Sequence, residues 1–276
     1  MDIVERFKSY VEVDTKAGEP KEGSASDPKI LNLSEKLLEE LQKLNPDEIS
    51  VNRYGIVDAK FKGTGDKPRI ALLAHRDTSP QASDTNVKTK IDVYEGKDIV
   101  LGDGKVLSEK EFPLLAHSLH HSIIHSDGTT LLGGDDKAGI AVILSAVEEI
   151  KEQNLPHGDI WVGFTPDEEI GAGADHFDLD YFKADFAYTV DGDYEGEVAY
   201  ENFNAASAVF SLKGVNVHPG EAKDIMVNAA LVGCEIAASL PEKETPAHTE
   251  GHEGFYHLTD MSGDVASATL SYIVRD

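Results

Sequence analysis

Cysteine, basic residues and long apolar runs are all scarce in this sequence of 276 residues, and each scarcity excludes something. The single cysteine, Cys234, has no partner for an internal disulfide, which suits a reducing compartment. Against 51 acidic residues stand only 25 basic ones, a formal charge of -26. That balance argues against nucleic acid or an anionic membrane as partner, because phosphates would be repelled. No apolar run approaches the ~20 residues of a membrane span. The opening MDIVERFKSYVEVD reads as a charged amphipathic helix rather than a secretory leader. A soluble, cytoplasmic protein is therefore expected. The glycine spacings of dinucleotide- and phosphate-binding loops are also missing, since GAGADH and LLGGDDKAG fit neither pattern.

What is present is enough apolar residue, 40%, for a real core. Leucines at helical spacing in LNLSEKLLEELQKL predict a helix over about 28–44, after a first one over about 3–13. Compact apolar runs predict strands near 49–52, 57–61, 69–74, 159–165 and 186–190, with a helix over 137–151 among them. Residues 85–110, polar and rich in turn formers, read as loop or small hairpin. Strands alternating with helices predict an α/β domain with a mixed sheet flanked by helices. Past residue 204 the pattern changes to a strand over 206–212, a helix over 224–240 and strands near 255–261 and 266–274. Residues 1–203 are accordingly expected to form a catalytic domain and 204–276 a smaller, incomplete α+β domain of the lid or dimerisation type.

The chemistry-bearing residues fall at strand ends. In His75-Arg76-Asp77, residues two apart in an extended chain point the same way. Asp77 can then accept the second N–H of a metal-bound His75 ring. Gly134-Asp135-Asp136 opens a helix, where one carboxylate can bridge two cations while the other caps the helix. Thr165-Pro166-Asp167-Glu168-Glu169 sets three acids in succession, a crowding that gains nothing unless a cation or proton offsets it. Asp191 follows another apolar strand, which reads as buried. Each motif alone is ordinary turn or cap chemistry. Together, one histidine and several carboxylates at successive strand ends suit a pair of zinc ions. The histidines His117, His120, His121 and His125 lack the glutamate of a helical zinc motif and read as surface or local packing in a loop-helix region.

AHRDTSP, TLLGGDDKAGIA, PHGDIWVGFTPDEEIG, AYTVDGD, ENFNAAS, NVHPG, EGFYHL and YIVRD, in this order, resemble the signatures of the peptidase T family, a branch of the aminoacylase-like, dinuclear-zinc peptidases. The resemblance implies removal of the amino-terminal residue from tripeptides. It implies that His75 and Asp191 hold the first zinc, that Asp135 bridges both and that Glu169 binds the second. Glu168 would be the general base, Asp77 would orient His75, and the Asp135–Asp136 peptide bond would be cis. His218 would polarise the scissile carbonyl, in many relatives across a dimer, and Arg275 would grip the substrate carboxylate. A homodimer is allowed by the resemblance but not required.

Two departures stand out. Arginine occupies position 76, where relatives usually carry methionine, and strand alternation should point it away from the site. Relatives also continue past the small domain and return a histidine to the second zinc, which this sequence lacks; a partial chain of a complete enzyme is expected. Two other readings remain. A related dipeptidase or N-acyl-amino-acid amidohydrolase would share the metal chemistry, and a non-catalytic fragment would hold one zinc or none.

Overall fold

A computed structural model describes all residues except 20, 22–24 and 193–194. Asp193, the last residue of the AYTVDGD motif, therefore lies outside the described residues. The chain divides into two compact units, Met1–Glu195 and Gly196–Asp276.

In the first unit, helix α1 (Ile3–Val11) starts at Asp2, whose carboxylate accepts the amides of Val4 and Glu5. A short turn (Pro28–Leu31) leads into α2 (Asn32–Lys43), then β1 (Glu48–Val51), β2 (Val57–Phe61) and β3 (Ile70–His75). Next come β4 (Thr89–Val93), β5 (Ile99–Val100), β6 (Val106–Leu107) and β7 (Ser122–Ser126). Helix α3 (Gly134–Glu152), β8 (Ile160–Thr165) and β9 (Phe186–Thr189) complete the unit. The main sheet is mixed, in the order β1-β2-β8-β3-β9. Strand β3 runs parallel to both β8 and β9, while β2 is antiparallel to β8 and β1. Three parallel strands therefore end at one edge, where ligands collect in open α/β sheets.

One face of that sheet carries the larger core. Leu33, Leu37 and Leu41 of α2 and Ile140, Ile143, Leu144 and Val147 of α3 belong to the same buried cluster as Val57, Phe61, Val162 and Phe164. These helix positions recur at the spacing that puts them on one face. The other face is covered differently from the expected helix. Ala71 and Trp161 are buried with Phe182, and Phe177 and Tyr181 pack against them from a turn-rich stretch.

Three expectations about local structure need correction. Within residues 85–110 the small hairpin is present as β5 and β6, Ile99↔Leu107 and Val100↔Val106, but Thr89–Val93 is neither loop nor part of it, because β4 pairs antiparallel with β7 from Thr89↔Ser126 to Val93↔Ser122. His125 therefore sits on a strand, not in a loop-helix region. His121 and His125, four residues apart, therefore do not lie on one helix face. Strand β9 is not buried, since all four of its residues are exposed at the sheet edge. Its apolar composition alone could not distinguish an edge from a centre.

Asp58 sits on β2, between β1 and β8, and is buried. Among the described residues its Oδ1 has no hydrogen-bond partner. Burial pushes its carboxyl up to about 7, against a hydrogen bond from Ser50 that pulls it down. A folded-state pKa above the unfolded value costs stability once the unfolded chain ionises. The penalty is absent below about pH 4, grows as pH rises and is complete above about pH 7. Asp58→Asn is expected to match the parent at pH 4 and to be more stable at pH 8 by up to about 4 kcal/mol. Urea unfolding at the two pH values checks this, and equal stability at pH 8 refutes it.

The second unit contains β10 (Ala205–Lys213), α4 (Ala229–Ser239), β11 (Phe255–Gly263) and β12 (Ser267–Arg275). Its sheet is antiparallel, in the order β10-β12-β11. Helix α4 starts later than its apolar pattern suggests, because a bridge between Val215 and Val227 keeps residue 227 extended. Asn228 then caps it, accepting the Leu231 amide at 3.3 Å. The helix lies close to the sheet at Gly233, where a Cβ would stand 3.0 Å from Cδ1 of Leu270 and 3.2 Å from Cε of Met261. No helix among the described residues is long and apolar enough to cross a membrane.

Candidate metal centre

The parallel strands deliver their last residues to one place. His75 ends β3 and is buried. Glu168 and Glu169 form the turn after β8, and Asp191 follows β9. The Asp135–Asp136 bond that opens α3 is cis. Ligand atoms of His75, Asp135 and Asp191 all lie within 4.8 Å of one another. His75 Nε2 stands 2.7 Å from Oδ1 of Asp135, 3.8 Å from Oδ2 of Asp191 and 4.0 Å from Oε2 of Glu168.

Hydrogen bonds from several elements fix this geometry. His75 Nδ1 lies 3.1 Å from the backbone carbonyl of Asp77 and 3.4 Å from its carboxylate. With Nδ1–H donated there, Nε2 is the ring atom left for a metal. The nearer acceptor is thus the carbonyl, not the side chain that strand alternation favours. The carboxylate of Asp77 also holds the glutamate turn, accepting the amides of Glu168 at 3.1 Å and Glu169 at 3.0 Å. Asp136 ties the start of α3 to β3, with Oδ2 accepting the His75 amide at 3.2 Å and Oδ1 the Gly139 amide at 3.0 Å.

Charge is crowded here. Burial alone would lower the pKa of His75, but the Asp77, Asp136 and Asp135 carboxylates outweigh it and raise it to about 10. Burial and then the charge of Asp191 push Asp136 up to about 8. Glu168 and Glu169 are raised by burial first. The His75 charge opposes that rise, and Asp191 for Glu168 and Asp135 for Glu169 reinforce it. Acids that raise one another in this way gain from a nearby cation. One imidazole nitrogen and converging carboxylate oxygens are donors that zinc accepts. The residues therefore fit zinc.

Other site residues fall elsewhere. The carboxylate of Glu169 is outside the converging group, although the charge of Asp135 acts on it. His218 and Arg275 belong to the second unit. His218 is exposed and caps a short turn, Nδ1 accepting the Gly220 amide at 3.1 Å. Arg275 lies over the ring of Phe203, 5.2 Å from its centroid. His125 is engaged locally, with ring nitrogens 2.7 Å from the Ser126 carbonyl and 2.9 Å from Asp92. Arg76 points away from His75, donating to the Ser34 hydroxyl and the Gly55 carbonyl. Burial lowers its pKa to about 10, against the charges of Asp77, Asp167 and Asp58. Lys137, also buried, is lowered to about 8 by desolvation and donates to the Val13 carbonyl at 2.8 Å. Sequence reading assigned these two buried cations no role.

The peptidase dimerisation domain model matches residues 200–276, and the M42 glutamyl aminopeptidase model matches residues 122–232. The peptidase T of Clostridium perfringens is 50% identical over 278 residues, an alignment covering 99% of this chain and 68% of that protein. The crystal structure of aminopeptidase PepT from Bacillus cereus matches with a TM-score of 0.70 at 22% identity, covering 99% of this chain and 66% of that one. A tripeptidase structure from Staphylococcus aureus matches with a TM-score of 0.66, also at 22% identity, covering 99% and 65%. At that identity the structures speak to the fold. The chain thus spans about two-thirds of the length of the relatives it matches.

Proposed function

The chain belongs to the peptidase T family of metal-dependent aminopeptidases, and on that premise we propose that it removes the amino-terminal residue from tripeptides by zinc-dependent hydrolysis. The observation that carries the reading is the convergence of His75, Asp135 and Asp191 within 4.8 Å. Glu168 stands beside them, 4.0 Å from the His75 ring.

In this reading His75 and Asp191 would hold one zinc ion, Asp135 would be shared with a second and Glu169 would belong to that second ion. Zinc bound there supplies a Lewis acid for the scissile carbonyl and a water of lowered pKa. Asp77 keeps Nε2 of His75 available by engaging the opposite ring nitrogen. Through the amides of Glu168 and Glu169 it also sets the direction of both glutamates. The Glu168 carboxylate takes a proton from the attacking water and returns it to the leaving amine. Its raised pKa, caused first by burial, suits a group that must hold and then release a proton. His218 polarises the carbonyl, and Arg275 offers a planar fork to the substrate carboxylate. Residues 200–276 serve pairing of two copies, a role supported by their match to a dimerisation domain.

The test is an assay of the purified 276-residue chain on an unblocked tripeptide, its acetylated form and the same tripeptide with a chelator. Release of the amino-terminal residue from the free-amine substrate, lost with chelator and regained with zinc, is the expected result. Cleavage of the acetylated form alone would move the chain to the amidohydrolases. Elemental analysis separates the readings further: two zinc ions per chain would mark a complete site, and one or none together with no cleavage would establish the non-catalytic reading.

A further inference from the structure

The third acid of the glutamate turn has a place in the structure that the mechanism has not used. Asp167 precedes Glu168 and Glu169, yet its side chain turns away from the metal centre into the protein, where it is buried. Its Oδ2 accepts the Ser26 amide at 2.8 Å and its Oδ1 accepts the Ser26 hydroxyl. Ser26 is itself 2% exposed, and its hydroxyl also accepts the Gly18 amide at 2.9 Å. Both carboxylate oxygens are thus committed to one residue 141 positions away in the chain.

The backbone shows what this contact does. Asp167 has φ 62 and ψ 27, the left-handed region that L residues other than asparagine and aspartate seldom adopt. That reversal turns the chain between the end of β8 and the two glutamates. Beyond it the Glu168 and Glu169 amides rest on Asp77, and the Ala172 amide donates to the Asp167 carbonyl at 2.9 Å. The turn is therefore gripped from two sides, by Asp77 through its amides and by Ser26 through the residue before them. Removing the Ser26 contact leaves the left-handed residue without its side-chain anchor.

Building on the zinc-peptidase reading, we propose that Asp167, held by Ser26, is a positioning residue that aims Glu168 and Glu169 at the metal centre. It touches neither substrate nor metal and acts only through the turn. Hydrogen exchange across residues 166–173 tests the placement without needing turnover. Asp167→Ala, which loses both bonds, is expected to lose about tenfold or more of the protection of the turn amides, with β3, β8 and α3 unchanged. Ser26→Ala keeps the amide bond and loses the hydroxyl one, and Asp167→Asn tolerates the same backbone but cannot accept the second bond, so both should fall between. In the tripeptide assay, kcat is expected to drop by about 10–100-fold with KM within about twofold, because a glutamate moved by an ångström misplaces the base without removing substrate contacts. Unchanged protection in Ser26→Ala and Asp167→Asn overturns the proposal, as does a loss of kcat and KM that merely follows loss of folded protein. A parent chain that neither binds zinc nor cleaves tripeptide would defeat the zinc-peptidase reading, while the exchange data still decide whether Ser26 and Asp167 hold the turn.

Discussion

Glu168→Gln is expected to lower turnover of a tripeptide by about a thousandfold while leaving zinc content and KM close to those of the parent. The substitution keeps shape and removes only the capacity to accept a proton. The backbone of the turn does not depend on that side chain, because the amides of residues 168 and 169 bond to Asp77. The ring of His75 is fixed by Asp77 and its main chain by Asp136, so the proposed metal ligands stay where they are. Glu169→Gln makes the contrast. If Glu169 is a ligand, that variant loses one zinc, and activity returns in part when zinc is raised. Added zinc cannot rescue Glu168→Gln, since the missing group is a base. Loss of zinc from Glu168→Gln would instead make Glu168 a ligand and reverse the two roles. Activity near the parent level would remove Glu168 from the mechanism.

That prediction could be framed from sequence because the site is written in strand ends. RIALLAH, IWVGFT and FAYT each end an apolar run in polar residues. A chain that alternates strand and helix makes such strands parallel, so their ends share an edge. His75, Glu168 and Asp191 met there for that reason. What sequence did not reveal depends on partners far apart along the chain. Ser26 and Asp167 are 141 residues apart, and nothing local marks either as the other's partner. Arg76 departs from its neighbours in kind but not in direction, since alternation sent it toward Ser34 and Gly55. The pairing of β4 with β7 was hidden because β4 is mostly exposed, leaving few buried positions to mark it as a strand. The exposure of β9 was hidden for the opposite reason, an apolar strand lying at an edge.

Gly139→Ala is the second large effect expected, and its sign distinguishes packing from propensity. Gly139 lies in the first turns of α3, where alanine is the better helix former by about 1 kcal/mol. On propensity alone the substitution should stabilise. The surroundings forbid it. A Cβ at this position would overlap the carbonyl oxygen of Val190 and Oδ1 of Asp136, with Cγ of Asp136 at 2.9 Å. Neither neighbour is free to give way. Val190 is held by its amide to the Leu73 carbonyl at 2.8 Å and leads directly into Asp191. Asp136 anchors the main chain of His75 and follows Asp135, the proposed bridging ligand. If Val190 yields, Asp191 moves; if Asp136 yields, His75 and Asp135 move. Either route opens the group of ligand atoms that now lie within 4.8 Å. Gly139→Ala is therefore expected to lose about 1–3 kcal/mol of stability from overpacking. It should also weaken zinc binding at least about tenfold and reduce turnover about a hundredfold or more. Gly65→Ala is the control, since a Cβ there meets nothing within 4 Å and should leave stability and zinc affinity unchanged. Thermal melts and chelator competition on the two variants decide the matter. A Gly139→Ala chain as stable as the parent and equally tight for zinc would show that α3 and the Asp191 segment are not packed as closely as the structure has them, and the metal centre would then need a different account of what holds its carboxylates together.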